Sequence, residues 1–325
     1  MADDARTATR VDFSGGPVAG DLPASWIHGA RPGTASDDPP IQVHRVDEHT
    51  LILRQSKALT YEAPFLNLLF GNDCALLLDT GDVADPQRMP LRVTVDGLVG
   101  EWLAKHPRDS YRLVVAHTHS HDDHVRGDGQ FAGRPNTVVV GHEPDAVAAF
   151  FGFTAWPRET VPFDLGGRVL EVTGIPGHEA ASIAIYDPWT GFLLTGDTVY
   201  RGRLYVEDPG AFRTSLDALA AVADLRSVTA VLGCHIEMTQ VPRRDYPRGT
   251  KYQPDEPPLE LTVADLRAIR DAAQAVGDRP GAHRFDDFSI FVGRCALPMA
   301  WQSVRLWAQT LRSRTGLGVG AAIER

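Results

Sequence analysis

Cysteine is scarce in this sequence: only Cys74, Cys234 and Cys295 occur in 325 residues. An odd, widely spaced set neither builds a disulfide framework nor matches a cysteine-rich zinc module, and it suits a reducing compartment. Lysine is equally sparse, present only as Lys57, Lys105 and Lys251, with arginine supplying the other basic residues. That bias fits the base composition of a GC-rich genome and carries no mechanism. Positive charge is in deficit overall, with a net charge of -10 and a pI near 5.6. The deficit opposes tight binding to nucleic-acid phosphates, which draws its strength from counterion release by clustered Lys and Arg. No apolar run approaches the roughly 18 residues of a membrane span, and the opening MADDARTATRVDFSGG has no signal-peptide core. The expectation is a cytoplasmic, unanchored protein with a small-molecule substrate, and with neither nucleic acid nor membrane as partner.

What is present is ordinary for a globular chain: 43% hydrophobic and 23% charged residues and a mean hydropathy of -0.18. The length suffices for one large domain with a substantial core. Residues 1–40 are dense in Gly, Pro, Ser and Asp and read as an irregular arm, of the kind that is mobile or drapes over a partner subunit. Residues 41–325 read as a single domain without internal repeats. Strands are expected at IQVHRV, HTLILRQ, FLNLLFG and CALLLDTGD, then a helix over 91–105 and a buried strand RLVVAH. TVVVG, RVLEVTGIP, SIAIYD, GFLLTGD and TAVLG continue the strands, with helices at PDAVAAFFG and over 215–225. A Pro- and charge-rich loop over 239–260 is longer than connections inside compact domains usually are. A helix over 262–276, a strand at DFSIFVG and a last amphipathic helix over 301–312 close the chain. Strands interleaved with helices imply an α/β protein of sheets covered by helices.

The strongest chemical signal follows RLVVAH, in the run His117, Thr118, His119, Ser120, His121, Asp122, Asp123, His124. Four imidazoles and two carboxylates within eight residues suit zinc and related divalent metals, and a His-x-His pair in an extended turn can aim both rings the same way. Three further polar residues end apolar strands: His178 in IPGHEAASI, Asp197 in LLTGDTVY and His235 in VLGCHIE. Taken singly, Asp197 reads equally as a turn or N-cap residue, His178 as a turn residue and His235 as a packed polar side chain. Their order behind the first motif joins them to it. His142 and His283 read as surface or supporting residues.

His119-Ser120-His121-Asp122-Asp123-His124 resembles the His-x-His-x-Asp-His signature of the metallo-β-lactamase superfamily, and the later strand ends fall in that family's order. The resemblance implies an αββα four-layer sandwich of two mixed β-sheets flanked by helices. It implies that His119, His121 and His178 hold one divalent metal ion and that Asp123, His124 and His235 hold a second, with Asp197 bridging. His117 stands one alternate position ahead, but starting the motif there misplaces its Asp-His pair. Zinc is the first choice of metal, with iron or manganese as alternatives. Asp79 is expected to support the metal loop without touching metal. Tyr200, Arg201 and Arg203 are candidates for lining the pocket, and Tyr205, Arg243, Arg244 and Tyr246 are weaker ones.

The implied chemistry is hydrolysis by a metal-bridging hydroxide, with Asp123 orienting it or receiving its proton. An aspartate at position 197 is similar to the hydroxyacylglutathione hydrolases, lactonases and phosphodiesterases of the superfamily, which points to a small ester, thioester or lactone. The alternative is a mononuclear iron-dependent oxidoreductase resembling the persulfide dioxygenases, which would need only His119, His121 and His178. A second copy of the chain is a candidate partner, with the arm and the 239–260 loop as candidate covers for the pocket or a dimer interface.

Overall fold

The computed structural model describes residues 9–18, 20–22 and 25–293; the expected helix over 301–312 and Cys295 lie outside them. One six-stranded sheet has the order β1 (Ile41–Arg45), β2 (Thr50–Gln55), β3 (Phe65–Phe70), β4 (Cys74–Leu78), β5 (Arg112–Ala116) and β6 (Thr137–Val139). Its first four strands are antiparallel, while β5 and β6 run parallel to β4. The second six-stranded sheet is built from β7 (Thr160–Asp164), β8 (Val169–Gly174), β9 (Ile183–Asp187), β10 (Phe192–Gly196), β12 (Ala230–Gly233) and β13 (Glu260–Leu261). Between β10 and β12 in the chain, β11 (Arg203–Val206) joins a third, three-stranded sheet with β15 (Ser289–Val292) and β14 (Gly281–Arg284).

Both large sheets are covered on both faces, which is why their central strands read as continuous apolar runs rather than alternating ones. In β4, Leu76 and Leu78 face the space between the sheets, against Val172, Ile183, Ile185 and Leu194. Ala75 and Leu77 face outward onto α1 (Leu91–Lys105), whose Val95, Leu98, Val99 and Trp102 fall at helical spacing on one face. On the other side, Ala184, Tyr186, Leu193 and Val231 meet α4 (Pro209–Leu225) and α5 (Val263–Val276) through Phe212, Leu216, Leu219, Leu266, Ile269 and Val276. The result is helix, sheet, sheet, helices: the expected four layers, with the small third sheet added. The remaining helices are short: α2 (Asp122–Val125), a 3-10 segment over Arg126–Phe131, and α3 (Pro144–Phe151).

Several local features depart from the expectations. Strand β7 holds Pro162 in its middle, which hides it in the sequence; it is tolerated because β7 is an edge strand and needs fewer ladder donors. Helix α4 begins earlier than expected, at Pro209, because Pro fits the first turn and Asp208 accepts from the Ala211 amide. The arm has no helix or strand among its described residues, but it packs on its own fold rather than standing free. Phe13 is buried edge-on against Trp189 and His49, and Trp26 against Phe65. The 239–260 loop is likewise packed, with Asp245, Tyr246 and Gln253 buried and Tyr252 bridging to Gly29 of the arm.

One buried arginine, ion-paired within its own sheet, ties the two sheets together. Arg168 donates to Asp187 at 2.6 and 3.1 Å, to the carbonyls of His49 and Phe70, and to Thr50 Oγ1. Arg168→Ala leaves the Asp187 carboxylate buried without its partner, so unfolding in denaturant should show a loss of about 3–5 kcal/mol. A loss below about 1 kcal/mol would place this pair among the weak surface pairs instead.

Candidate metal centre

The strands that carry the motif residues all point the same way. Strands β4 and β5 are parallel, β10 and β12 are parallel, and two antiparallel steps make β8 parallel to β10. Their carboxyl ends therefore lie at one edge of the sandwich, the place where open α/β sheets present ligand-binding residues. Asp79 follows β4, the His117–His124 run follows β5, and His178, Asp197 and His235 follow β8, β10 and β12. Close approach at this edge depends on Gly196, which has φ 54° and whose added Cβ would meet Thr118 Cβ at 2.7 Å.

Seven of the predicted residues come together as two clusters. In the first, His119 Nε2 lies 3.0 Å from His121 Nδ1, and His178 Nε2 lies 3.3 and 3.1 Å from those same atoms. Ligands about 2.0–2.1 Å from a tetrahedral ion stand roughly 3.3–3.4 Å apart, so the triangle has the size of one face of such a site. In the second, His235 Nε2 is 3.2 Å from Asp123 Oδ2, 3.4 Å from Asp197 Oδ1 and 3.4 Å from His124 Nε2. Asp197 faces both: Oδ1 is 3.7 Å from His124 Nε2, while Oδ2 is 3.8 Å from His178 Nε2. Asp197 Oδ1 is buried and has no hydrogen-bond partner among the described residues, an arrangement that a cation would satisfy. The donor set therefore fits divalent metal.

The far nitrogens of these rings are held by acceptors, as metal-binding imidazoles usually are. His178 Nδ1 donates to the Tyr205 carbonyl at 2.8 Å, His235 Nδ1 to the Glu62 carbonyl at 3.1 Å, and His124 Nδ1 to Asp79 Oδ2 at 3.0 Å. Asp79 is fully buried and also accepts from the Thr118 amide at 2.7 Å, the Thr118 hydroxyl at 3.0 Å and Cys234 Sγ at 3.3 Å. Its backbone sits at φ 70°, a left-handed conformation that Asp tolerates better than most residues. Thr118, Glu62 and Tyr205 were not singled out for these roles; two act through carbonyls, which leave no mark on side-chain type.

Of the residues expected to line the pocket, Tyr200 and Arg203 are buried with their polar ends engaged within the protein, whereas Arg201 keeps a buried Nε without a hydrogen-bond partner among the described residues. Tyr200 is buried with its hydroxyl on the Arg203 carbonyl and Glu237. Arg203 is buried among Glu237, Asp245 and the Tyr246 carbonyl. Arg201 lies 3.7 Å from Asp265 and 3.6 Å from Asp287. Of the weaker candidates, Tyr205 and Tyr246 bond Arg203 through a hydroxyl and a carbonyl, while Arg243 and Arg244 are exposed.

Charge separates the two clusters. Burial lowers the pKa of His119 and His178, so both stay neutral with lone pairs available. Burial acts the same way on His124 and His235, but carboxylates outweigh it: Asp123, Asp79 and Asp197 for His124, and Asp197 and Asp123 for His235, whose pKa rises to about 9. Burial pushes Asp123 and Asp197 up, and the neighbouring imidazoles overcome it and hold both well below the carboxylate range. A cation entering the second cluster must displace protons from His124 and His235, whereas His119 and His178 in the first are already neutral.

Residues 66–235 match the Metallo-beta-lactamase superfamily, and the chain belongs to it. It resembles hydroxyacylglutathione hydrolases of Synechococcus sp. (32% identity over 36% of this chain and 47% of that protein) and Pseudomonas fluorescens (28%, 52% and 63%). That of Thermosynechococcus vestitus is 31% identical over 51% of this chain and 64% of its own length. The chain thus spans about half to two thirds of the curated relatives it matches. A solved metallo-beta-lactamase from Pontibacter korlensis superposes with a TM-score of 0.49 at 19% identity, over 72% of this chain and 99% of that one. Among the described residues no helix is long and apolar enough to cross a membrane.

Two outcomes are expected. As pH falls below neutral, metal should leave His178→Ala protein, which keeps the second cluster, before it leaves His235→Ala protein, which keeps the first; elemental analysis after dialysis reads the order, and the reverse order refutes the proton competition. Asp79→Ala should weaken metal binding about 10- to 100-fold in chelator competition, by freeing the His124 ring and the Thr118 backbone.

Proposed function

We propose that this chain is a dinuclear metal-dependent hydrolase that cleaves a small ester, thioester or lactone. The observation that carries this reading is Asp197, which turns one carboxylate oxygen to each cluster and has Oδ1 buried without a hydrogen bond among the described residues. When bound, two divalent ions, zinc in the first instance, supply an activated water and polarise the acyl oxygen. His119, His121 and His178 would hold one ion, and Asp123, His124 and His235 the other, with Asp197 between them.

The protein's own part is positioning and proton handling. Asp123 is ionised, and its side chain is 19% exposed at the edge of the second cluster. Its carboxylate can orient the attacking water and take its proton, then return it to the departing alkoxide or thiolate. The water oxygen bonds to the acyl carbon, the carbon–oxygen or carbon–sulfur bond breaks, and an acid and an alcohol or thiol leave. The relatives' name, hydroxyacylglutathione hydrolase, favours a thioester. The acidic charge balance and sparse cysteine support a small soluble substrate met in a reducing compartment such as the cytoplasm. The persulfide dioxygenase alternative would leave Asp123, His124 and His235 without a task.

The test combines metal content and turnover. His178→Ala and His235→Ala should each hold about one equivalent of metal less than the wild type, and Asp123→Ala and His121→Ala should abolish hydrolysis across thioester, lactone and ester substrates while staying folded. Unchanged turnover in Asp123→Ala would refute the assignment. A single iron per chain with oxygen uptake on persulfides would replace it with the oxidoreductase.

A further inference from the structure

Behind the first cluster stands a second group of metal-binding residue types that the proposed hydrolysis does not use. His117 directly follows β5, His142 follows the parallel neighbour β6, and Asp128 lies in the 3-10 segment between them. His117 Nε2 is 2.8 Å from Asp128 Oδ1, and His142 Nε2 is 2.8 Å from Asp128 Oδ2. Each imidazole thus addresses a different oxygen of one carboxylate. The rings meet edge to face at 88°, with centroids 4.8 Å apart, and the three ligand atoms lie within 4.8 Å of one another.

His117 and His142, with His119, form the polar side of a cavity of about 10 Å³ whose apolar side includes Val147 and Phe151, with Asp128 outside its lining. That is room for one water-sized sphere and nothing larger. His117 is almost fully buried, while the His142 side chain is 38% exposed and leaves an approach from solvent.

We propose that His117, Asp128 and His142 form a third metal site, separate from the two clusters of the principal centre and taking a divalent ion of the zinc type. Two imidazoles and a carboxylate with an open position are a donor set that zinc and ferrous iron accept. The site touches the principal loop through Thr80. Its Oγ1 is 2.8 Å from Asp128 Oδ1 and 3.2 Å from the His124 carbonyl, and its amide donates to that carbonyl at 2.7 Å. An ion here braces the segment that carries His119, His121 and His124 from behind, a structural task distinct from the chemistry in front.

The experiment is a subtraction. Protein stripped with chelator and dialysed against Zn2+ is analysed for bound zinc beside His142→Ala and Asp128→Asn proteins. His142→Ala removes a half-exposed ring and should keep the wild-type circular dichroism. Each variant should hold about one equivalent less than the parent, and His283→Ala, which alters a half-buried histidine outside the group, should match the parent. The same comparison is made in a His178→Ala, His235→Ala background, so the outcome does not depend on the hydrolase assignment. With Co2+ as the probe, His142→Ala should also lose part of the visible absorption. Equal metal content in parent and His142→Ala protein, in both backgrounds, overturns the proposal and leaves a hydrogen-bonded His–Asp–His brace.

Discussion

Seven ionisable side chains meet at one edge of the sandwich, five of them buried, and most of what surrounds them follows from that constraint. An unpaired carboxylate such as Asp197 is costly to bury, and so is a charged imidazole such as His124. Here each relieves the other: the carboxylates draw positive charge to His124 and His235, and the imidazoles hold Asp123 and Asp197 ionised. Protons can balance this centre only in part, since Asp197 Oδ1 faces His235 at 3.4 Å and His124 at 3.7 Å without a hydrogen bond among the described residues. The centre is arranged for a cation, and its two halves differ in how strongly protons compete for the place.

The scaffold sets these groups in position from two sides. One sheet delivers Asp79 and the histidine loop, the other delivers His178, Asp197 and His235, and the sheets are joined through their packed inner faces and the buried Arg168. Asp79 links the two halves most directly, since a single buried carboxylate bonds Thr118 and His124 from one sheet and Cys234 from the other. Orientation passes outward from there, because an imidazole whose far nitrogen is already committed has one nitrogen free to aim inward. The arm and the 239–260 loop close over the same body, meeting at Gly29 and Tyr252.

Much of this was legible in the linear chain. The run from His117 to His124 and the polar residues after three apolar strands named the members of both clusters. Continuous apolar segments such as CALLL and RLVVA marked strands buried on both faces. Other features were hidden for identifiable reasons. Pro162 disguised an edge strand, Gly210 after Pro209 disguised the start of α4, and β11 showed no alternation because Arg203 is buried by ion pairing rather than exposed. Arginines near a motif look like substrate contacts until their partners are known, and Arg203 finds its own in Glu237 and Asp245.

Residue type and order alone specify the family, the layered architecture and the ligand types, because strand burial and metal chemistry depend on them. Folding settles which oxygen of Asp197 faces which cluster, that His119 and His178 are neutral, and that His117 and His142 share Asp128. Those are matters of distance and desolvation between residues more than 100 positions apart in the chain, as His124 and His235 are at 111. Distance and desolvation arise only when the strand ends are brought to one edge and water is excluded between them.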